Sequence, residues 1–381
     1  MQSHLQVYLI LASLFLVNCG PAFNAQQSAV SNVLQQNQLA SNVLKSSNCD
    51  FGTASPGGQV ASKATGSEKF FEGFGGTAVD SKSWLGHSTV LLTSVYRNNS
   101  TTRTAMYVCT AMLLDRDVLL TAAHCVADKT GETLLEMRAF FDSQPECNSN
   151  NELNYGSGTL VSQRMVHSKY SGVGYPFLSQ EEYGDLAMLK LQQDAPAAWS
   201  AIKLSADQVP SDFGQILSAG YGRSTPNADE ADPSGLILRF AYLNAISSVT
   251  AKNQTAVLNS MIKDYLISEG STLSSSERAL YESVMSIQNH FTMSAGQDYL
   301  YVDQTQGKGI CSGDSGGAAY YIKNGKYYVV GVASMVGNAT YTASGVCAGY
   351  AAYTQVLRYR TWLESSFNQL KKSSSTVAIF E

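Results

Sequence analysis

Cys311-Ser312-Gly313-Asp314-Ser315-Gly316-Gly317 sets one serine among glycines near the end of a 381-residue chain. An alcohol is a poor nucleophile at its own pKa. It attacks a carbonyl only with a base within hydrogen-bond reach and with donors aimed at the developing oxyanion. Glycines leave that approach open, because no Cβ shields their backbone N–H groups. Alone, the pattern also fits an ordinary glycine turn, so its reading depends on two stretches upstream.

The first is Thr121-Ala122-Ala123-His124-Cys125, which follows the apolar run Asp117-Val118-Leu119-Leu120. The second is Asp185-Leu186-Ala187-Met188-Leu189-Lys190-Leu191, a strand-like run opened by a carboxylate. An ionised Asp entering an apolar run needs a partner, because an unpaired buried charge is costly. A histidine that takes the serine proton, oriented by a carboxylate on its far nitrogen, is the arrangement acyl transfer requires. The chain order His124, Asp185, Ser315 excludes an α/β-hydrolase built on G-x-S-x-G, which needs its histidine after the serine. Here the last histidine is His290. His167 reads as structural, His87 and His290 lack a catalytic pattern, and no metal-ligand spacing occurs. Neither a metal nor a cofactor is expected.

The surrounding texture is β-rich. Charged residues make up 14% of the chain, against 31 Gly and 21 Tyr, which suits an extracytoplasmic β protein better than a cytosolic helical one. Short apolar or alternating runs, among them HSTVLLTSVY, AMYVCTAMLL, GTLVSQRMVH, GQILSAGYG and KYYVVGVASMV, are separated by polar turns. Many short strands without long intervening helices indicate antiparallel sheets or barrels. One stretch breaks the rhythm: Val257, Met261 and Leu266, then a capping box at Ser274 and Glu277 before Leu280, Val284 and Ile287, predict a helical hairpin over about 254–289. It is either a surface elaboration or an element that gates substrate or binds a partner. Val356, Tyr359, Trp362 and Leu363 predict a terminal amphipathic helix. The formal net charge of −5 and the lack of a basic run exclude nucleic acid as a partner.

The amino terminus indicates export. Val7 to Val17 is apolar, too short to span a membrane and right for a signal-peptide core, giving a signal peptide over 1–18. Leu16-Val17-Asn18-Cys19 resembles a bacterial lipobox, in which Cys19 would carry lipid; plain secretion is the alternative, so the protein is either secreted or an extracytoplasmic lipoprotein. Residues 19–72, rich in Gln, Asn, Ser, Ala and Gly, read as a linker or propeptide. Seven cysteines less Cys19 leave six, which allow 15 pairings that spacing alone cannot choose among.

The blocks TAAHC, DLAMLKL and CSGDSGG, in this order, resemble the three signature blocks of the trypsin/chymotrypsin-like serine proteases. The resemblance covers about 73–366, leaving 367–381 as a tail. It implies a double antiparallel six-stranded β-barrel, all-β, with the helical insertion in the second barrel and the site in the cleft between barrels. It implies endopeptidase activity on proteins or peptides through an acyl-enzyme, with Ser315 as nucleophile, His124 as general base and then acid, and Asp185 as orienting carboxylate. The N–H groups of Gly313 and Ser315 would form the oxyanion hole. The same resemblance implies disulfides Cys109–Cys125 and Cys311–Cys347, leaving Cys49 with Cys147. A surface insertion between Asp185 and Ser315 is tolerated by the fold.

Specificity and activation follow from the same comparison. Gly309 would floor the primary pocket, with Ser334, Val336 and Ala351 on its walls, so cleavage after small or medium apolar residues is expected. In the family a freed amino terminus inserts beside the Asp preceding the nucleophile, here Asp314. Gly73-Phe74-Gly75-Gly76 occupies the matching place, with cleavage by an activating protease after Glu72 or after Lys69. The competing function is a silent protease homologue acting as a secreted binding protein.

Overall fold

The computed structural model describes residues 43–45, 76–101, 104–129, 131–145, 152–170, 184–209, 214–223, 236–246, 299–337, 347, 349–371 and 378–381. The expected signal peptide, Cys19, Cys49, Gly73, Cys147 and the predicted helical hairpin over 254–289 lie outside them.

The fold is two six-stranded antiparallel β-barrels with one C-terminal helix. Before the barrels come β1 (Val43–Lys45) and β2 (Thr77–Ala78). The first barrel is built from β3 (Thr89–Asn98), β4 (Thr104–Asp115), β5 (Val118–Thr121), β6 (Glu132–Phe140), β8 (Thr159–Val166) and β9 (Ala187–Leu191). It closes in the order β3-β4-β5-β9-β8-β6, and the short β7 (Glu152–Asn154) pairs with β1 outside it. The second barrel contains β10 (Gln215–Gly220), β11 (Arg239–Ile246), β12 (Tyr299–Asp303), β13 (Ala318–Lys323), β14 (Lys326–Gly337) and β15 (Tyr350–Gln355). Its sheet runs β10-β13-β14-β15-β12-β11, a β10–β11 ladder closes it, and β2 adds at β11.

The apolar runs form barrel strands for a simple reason. In β3, Val90, Leu91 and Leu92 are all wholly buried, one face toward the barrel interior and the other under neighbouring elements. Each such side chain contributes about 1.5–3 kcal/mol on leaving water. Closure also removes the open edges that an antiparallel sheet would otherwise expose. One apolar cluster spans both barrels, bringing Leu119 and Leu189 together with Tyr221 and Tyr320.

The terminal helix α1 (Arg360–Lys371) packs against β5 and β9 through Leu363, Phe367 and Leu370, buried at helical spacing. It runs past residue 366, where the sequence reading ended the domain. The last residues also dock: Ile379 and Phe380 are buried, and the Ile379 carbonyl accepts the Leu204 N–H at 2.9 Å. What reads as a patternless tail is thus an edge segment, whose two apolar side chains are too few to show a period. His167 is structural, buried with its ring edge-on to Tyr359 and Trp362. Among the described residues no helix is long and apolar enough to cross a membrane.

Candidate active site

His124 lies on a short 3-10 turn, Ala123–Cys125, that directly follows β5. The turn is anchored by the disulfide Cys109–Cys125, which ties it back to β4. A second disulfide, Cys311–Cys347, fastens the segment leading into Ser315. Closing these loops contributes about 3–4 kcal/mol each in the chain-entropy picture. The third expected bridge, Cys49–Cys147, falls outside the described residues.

Asp185 sits just before β9, which pairs with β5, so the strand register delivers carboxylate and imidazole to one end of the first barrel. The contact is two-pronged. His124 Nδ1 lies 2.8 Å from Asp185 Oδ2, and the His124 backbone N–H donates to Asp185 Oδ1 at 3.0 Å. The hydroxyl of Ser334, on β14 of the other barrel, donates to Asp185 Oδ2 at 2.6 Å. Asp185 is 1% exposed. Burial alone would push its carboxyl up; the His124 charge and the donors of His124 and Ser334 outweigh this and hold it below the usual carboxylate range. Asp185 therefore stays ionised and holds the ring with its Nδ1 side fixed. The other ring nitrogen, Nε2, is also buried.

Ser315 is brought to the same place from the second barrel. Its carbonyl accepts the Thr110 N–H at 2.8 Å and lies 3.6 Å from Cys125 Sγ, one residue from His124. The next residue shows how tight the seam is. A Cβ on Gly316 would lie 2.0 Å from Thr121 Oγ1 and 2.3 Å from the Thr110 carbonyl, and its φ of +83° is one that other residues rarely adopt. Ser315-Gly316 is thus pressed directly against Thr121-Ala122, two residues from His124. Ser315 itself is 3% exposed.

The peptide planes around Gly313 are pinned on both sides. The Ser312 carbonyl accepts the Arg223 N–H at 3.0 Å. Across a trans peptide the N–H points opposite to the carbonyl, so the Gly313 N–H is turned away from Arg223. The Gly313 carbonyl accepts the Thr110 hydroxyl at 2.9 Å, and that hydroxyl accepts the Tyr221 N–H at 3.0 Å. Thr110 therefore grips the loop at two carbonyls, Gly313 and Ser315. Nothing in the sequence around Thr110 signals this; it is one β-strand residue among many.

The Asp314 side chain is held by backbone donors. Its carboxylate accepts the N–H groups of Gly222 and Cys311, each at 2.8 Å. It lines a small cavity with Gly76, Gly220, Gly222, Arg223, Arg239 and Gly309. The expected wall residues Val336 and Ala351 are direct cross-strand partners on β14 and β15 and share an apolar cluster with Ile310, Cys311 and Cys347. Ser334, expected on the same wall, donates its hydroxyl to Asp185.

A model of the trypsin family matches residues 86–271 and 268–363. The chain belongs to the trypsin family. Both barrels of this trypsin-family chain fall within the match. No protein of curated function matches it in sequence. Among solved structures it is similar to HL collagenase at 15% identity, with a TM-score of 0.49, covering 77% of this chain and 98% of that one.

Proposed function

We propose that this trypsin-family chain is a serine endopeptidase that cleaves peptide bonds through an acyl-enzyme. The observation that carries the reading is the buried Asp185 carboxylate clasping His124 through both its ring and its backbone N–H. A buried carboxylate that fixes a histidine at both ring Nδ1 and backbone N–H orients the imidazole as a general base requires.

In the proposed reaction, Ser315 Oγ attacks the substrate carbonyl carbon as its proton passes to His124 Nε2. The C=O π pair moves to oxygen, where the N–H groups of Gly313 and Ser315 receive it. His124 then protonates the leaving amine, the C–N bond breaks, and the acyl group remains on Ser315. Water, deprotonated by the same ring, releases the acid and restores the serine. Asp185 carries its charge throughout and stabilises the imidazolium.

Activation is assigned to the cavity beside Asp314. Gly76 lies on its rim, so an amino terminus freed at Gly73 is within a few residues of it. Sequencing the amino terminus of active protein separates cleavage after Glu72 from cleavage after Lys69. The two disulfides accord with an oxidising, extracytoplasmic setting. Whether lipid is attached at Cys19 is read by mass spectrometry of exported protein.

A fluorophosphonate probe tests the central claim. It is expected to label the mature protein at Ser315 and not the Ser315→Ala variant. A mature protein that stays unlabelled is a silent binding homologue, and the endopeptidase reading falls.

A further inference from the structure

We infer that Gln304 sets the depth and polarity of the primary specificity pocket, taking the space that a floor side chain at Gly309 would otherwise fill; the inference rests on the endopeptidase reading. Gln304 directly follows β12 and is wholly buried. A Cβ on Gly309 would lie 2.2 Å from the Gln304 Cδ and 2.4 Å from its Oε1. The glycine is bare because another side chain already occupies the volume its own would enter.

The carboxamide is locked by its hydrogen bonds. Gln304 Oε1 accepts the Ile310 N–H at 2.6 Å, and Nε2 donates to the carbonyls of Ile310 at 3.1 Å and Cys347 at 2.5 Å. It therefore bridges the floor segment, 309–311, to the wall segment at Cys347, which the Cys311–Cys347 disulfide also joins. Both Nε2 hydrogens are spent on backbone carbonyls, leaving no donor for a substrate side chain. The neighbours Ile310, Val336 and Ala351 are apolar. Among the described residues, the acid that shares a cavity with Gly309 is Asp314, whose carboxylate already accepts two backbone N–H groups, so a guanidinium or ammonium entering this space would lose its hydration for little return. An aromatic ring would meet the carboxamide. What fits is a small apolar side chain.

The test uses the mature full-length protein, a peptide series differing only at the residue before the scissile bond, and a fluorophosphonate to count competent Ser315. Wild type is expected to prefer Ala or Val over Phe, Lys and Arg. Gln304→Ala is expected to raise the Phe-to-Ala ratio of kcat/KM by about tenfold or more, in line with the worth of pocket volume. Gln304→Met, which keeps the length without the hydrogen bonds, is expected to retain the small-residue preference. A wild-type preference for Phe, Lys or Arg overturns the inference whether or not Gln304→Ala folds. A labelled Gln304→Ala with the wild-type profile overturns it alone. An unlabelled wild type overturns the endopeptidase reading and this inference with it.

Discussion

The Ser334 hydroxyl, contributed by the second barrel, donates to Asp185 Oδ2 at 2.6 Å, on the same oxygen that faces the His124 ring. One carboxylate thus joins the two barrels at the point where their residues must cooperate. A hydrogen bond to a charged group is worth about 1.5–3 kcal/mol. Ser334→Ala is therefore expected to lower kcat by about ten- to a hundredfold with little change in KM.

The same contact has a pH signature. Asp185 is held below the usual carboxylate range, so its stabilising share is complete above the unfolded value, about 3.9. That share is lost as the pH falls through the lower folded value. Removing the Ser334 donor lifts the folded value back toward the ordinary one. Acid unfolding of Ser334→Ala, followed by circular dichroism, is expected to begin at higher pH than in wild type. Coincident acid-unfolding curves would contradict the role given to this hydroxyl.

Asp185→Asn preserves the shape and removes the charge. An amide that donates to Nδ1 forces the wrong tautomer on His124, and in the comparable triad this costs about four orders of magnitude in kcat. A loss of that size is expected here, with fluorophosphonate labelling slowed in parallel. A rate near wild type would show that Asp185 does not orient the base.

Thr110, on the first barrel, holds the loop whose N–H groups are proposed to form the oxyanion hole, its hydroxyl on the Gly313 carbonyl and its N–H on the Ser315 carbonyl. Thr110→Val keeps the volume and the N–H but leaves the Gly313 carbonyl and the Tyr221 N–H without the hydroxyl. About tenfold or greater loss in kcat is expected, since an intact oxyanion donor is worth 10²–10³. Thr110→Ser restores the hydroxyl and should recover most of the rate. If Thr110→Val matches wild type in kcat and loses only stability, the residue merely packs.

The barrels were legible because their strands are short apolar runs between polar turns, and the residues around His124, Asp185 and Ser315 because each block carries a local signature. What stayed hidden acts across the chain. Thr110, Gln304 and the role of Ser334 become visible only when strands far apart in sequence are laid side by side. Ile379 and Phe380 carry no sequence signal for a related reason: a two-residue apolar segment has no period, and only the partner at Leu204 reveals it.

Lys371 fastens the last turn of α1 to the first barrel. Its Nζ lies 2.7 Å from Asp115 Oδ2 and 2.8 Å from Asp117 Oδ1, and Lys190 reaches Asp117 as well. Burial would raise the Asp117 carboxyl, but hydrogen bonds from Lys190 and Lys371 bring it below its ordinary value. Its contribution is then present above about pH 3.9 and fades as the pH falls through the folded value. A partly exposed pair of this kind is worth about 1 kcal/mol. Lys371→Met is expected to lower Tm at pH 7 by about 2–4 °C. The gap from wild type should begin to close as the solution is taken below pH ~3.9 and shrink further as the pH falls through the lower folded value of Asp117. A gap that persists unchanged at pH ~3 would mean that the Lys371 stem, rather than its charge, fastens the helix to the first barrel.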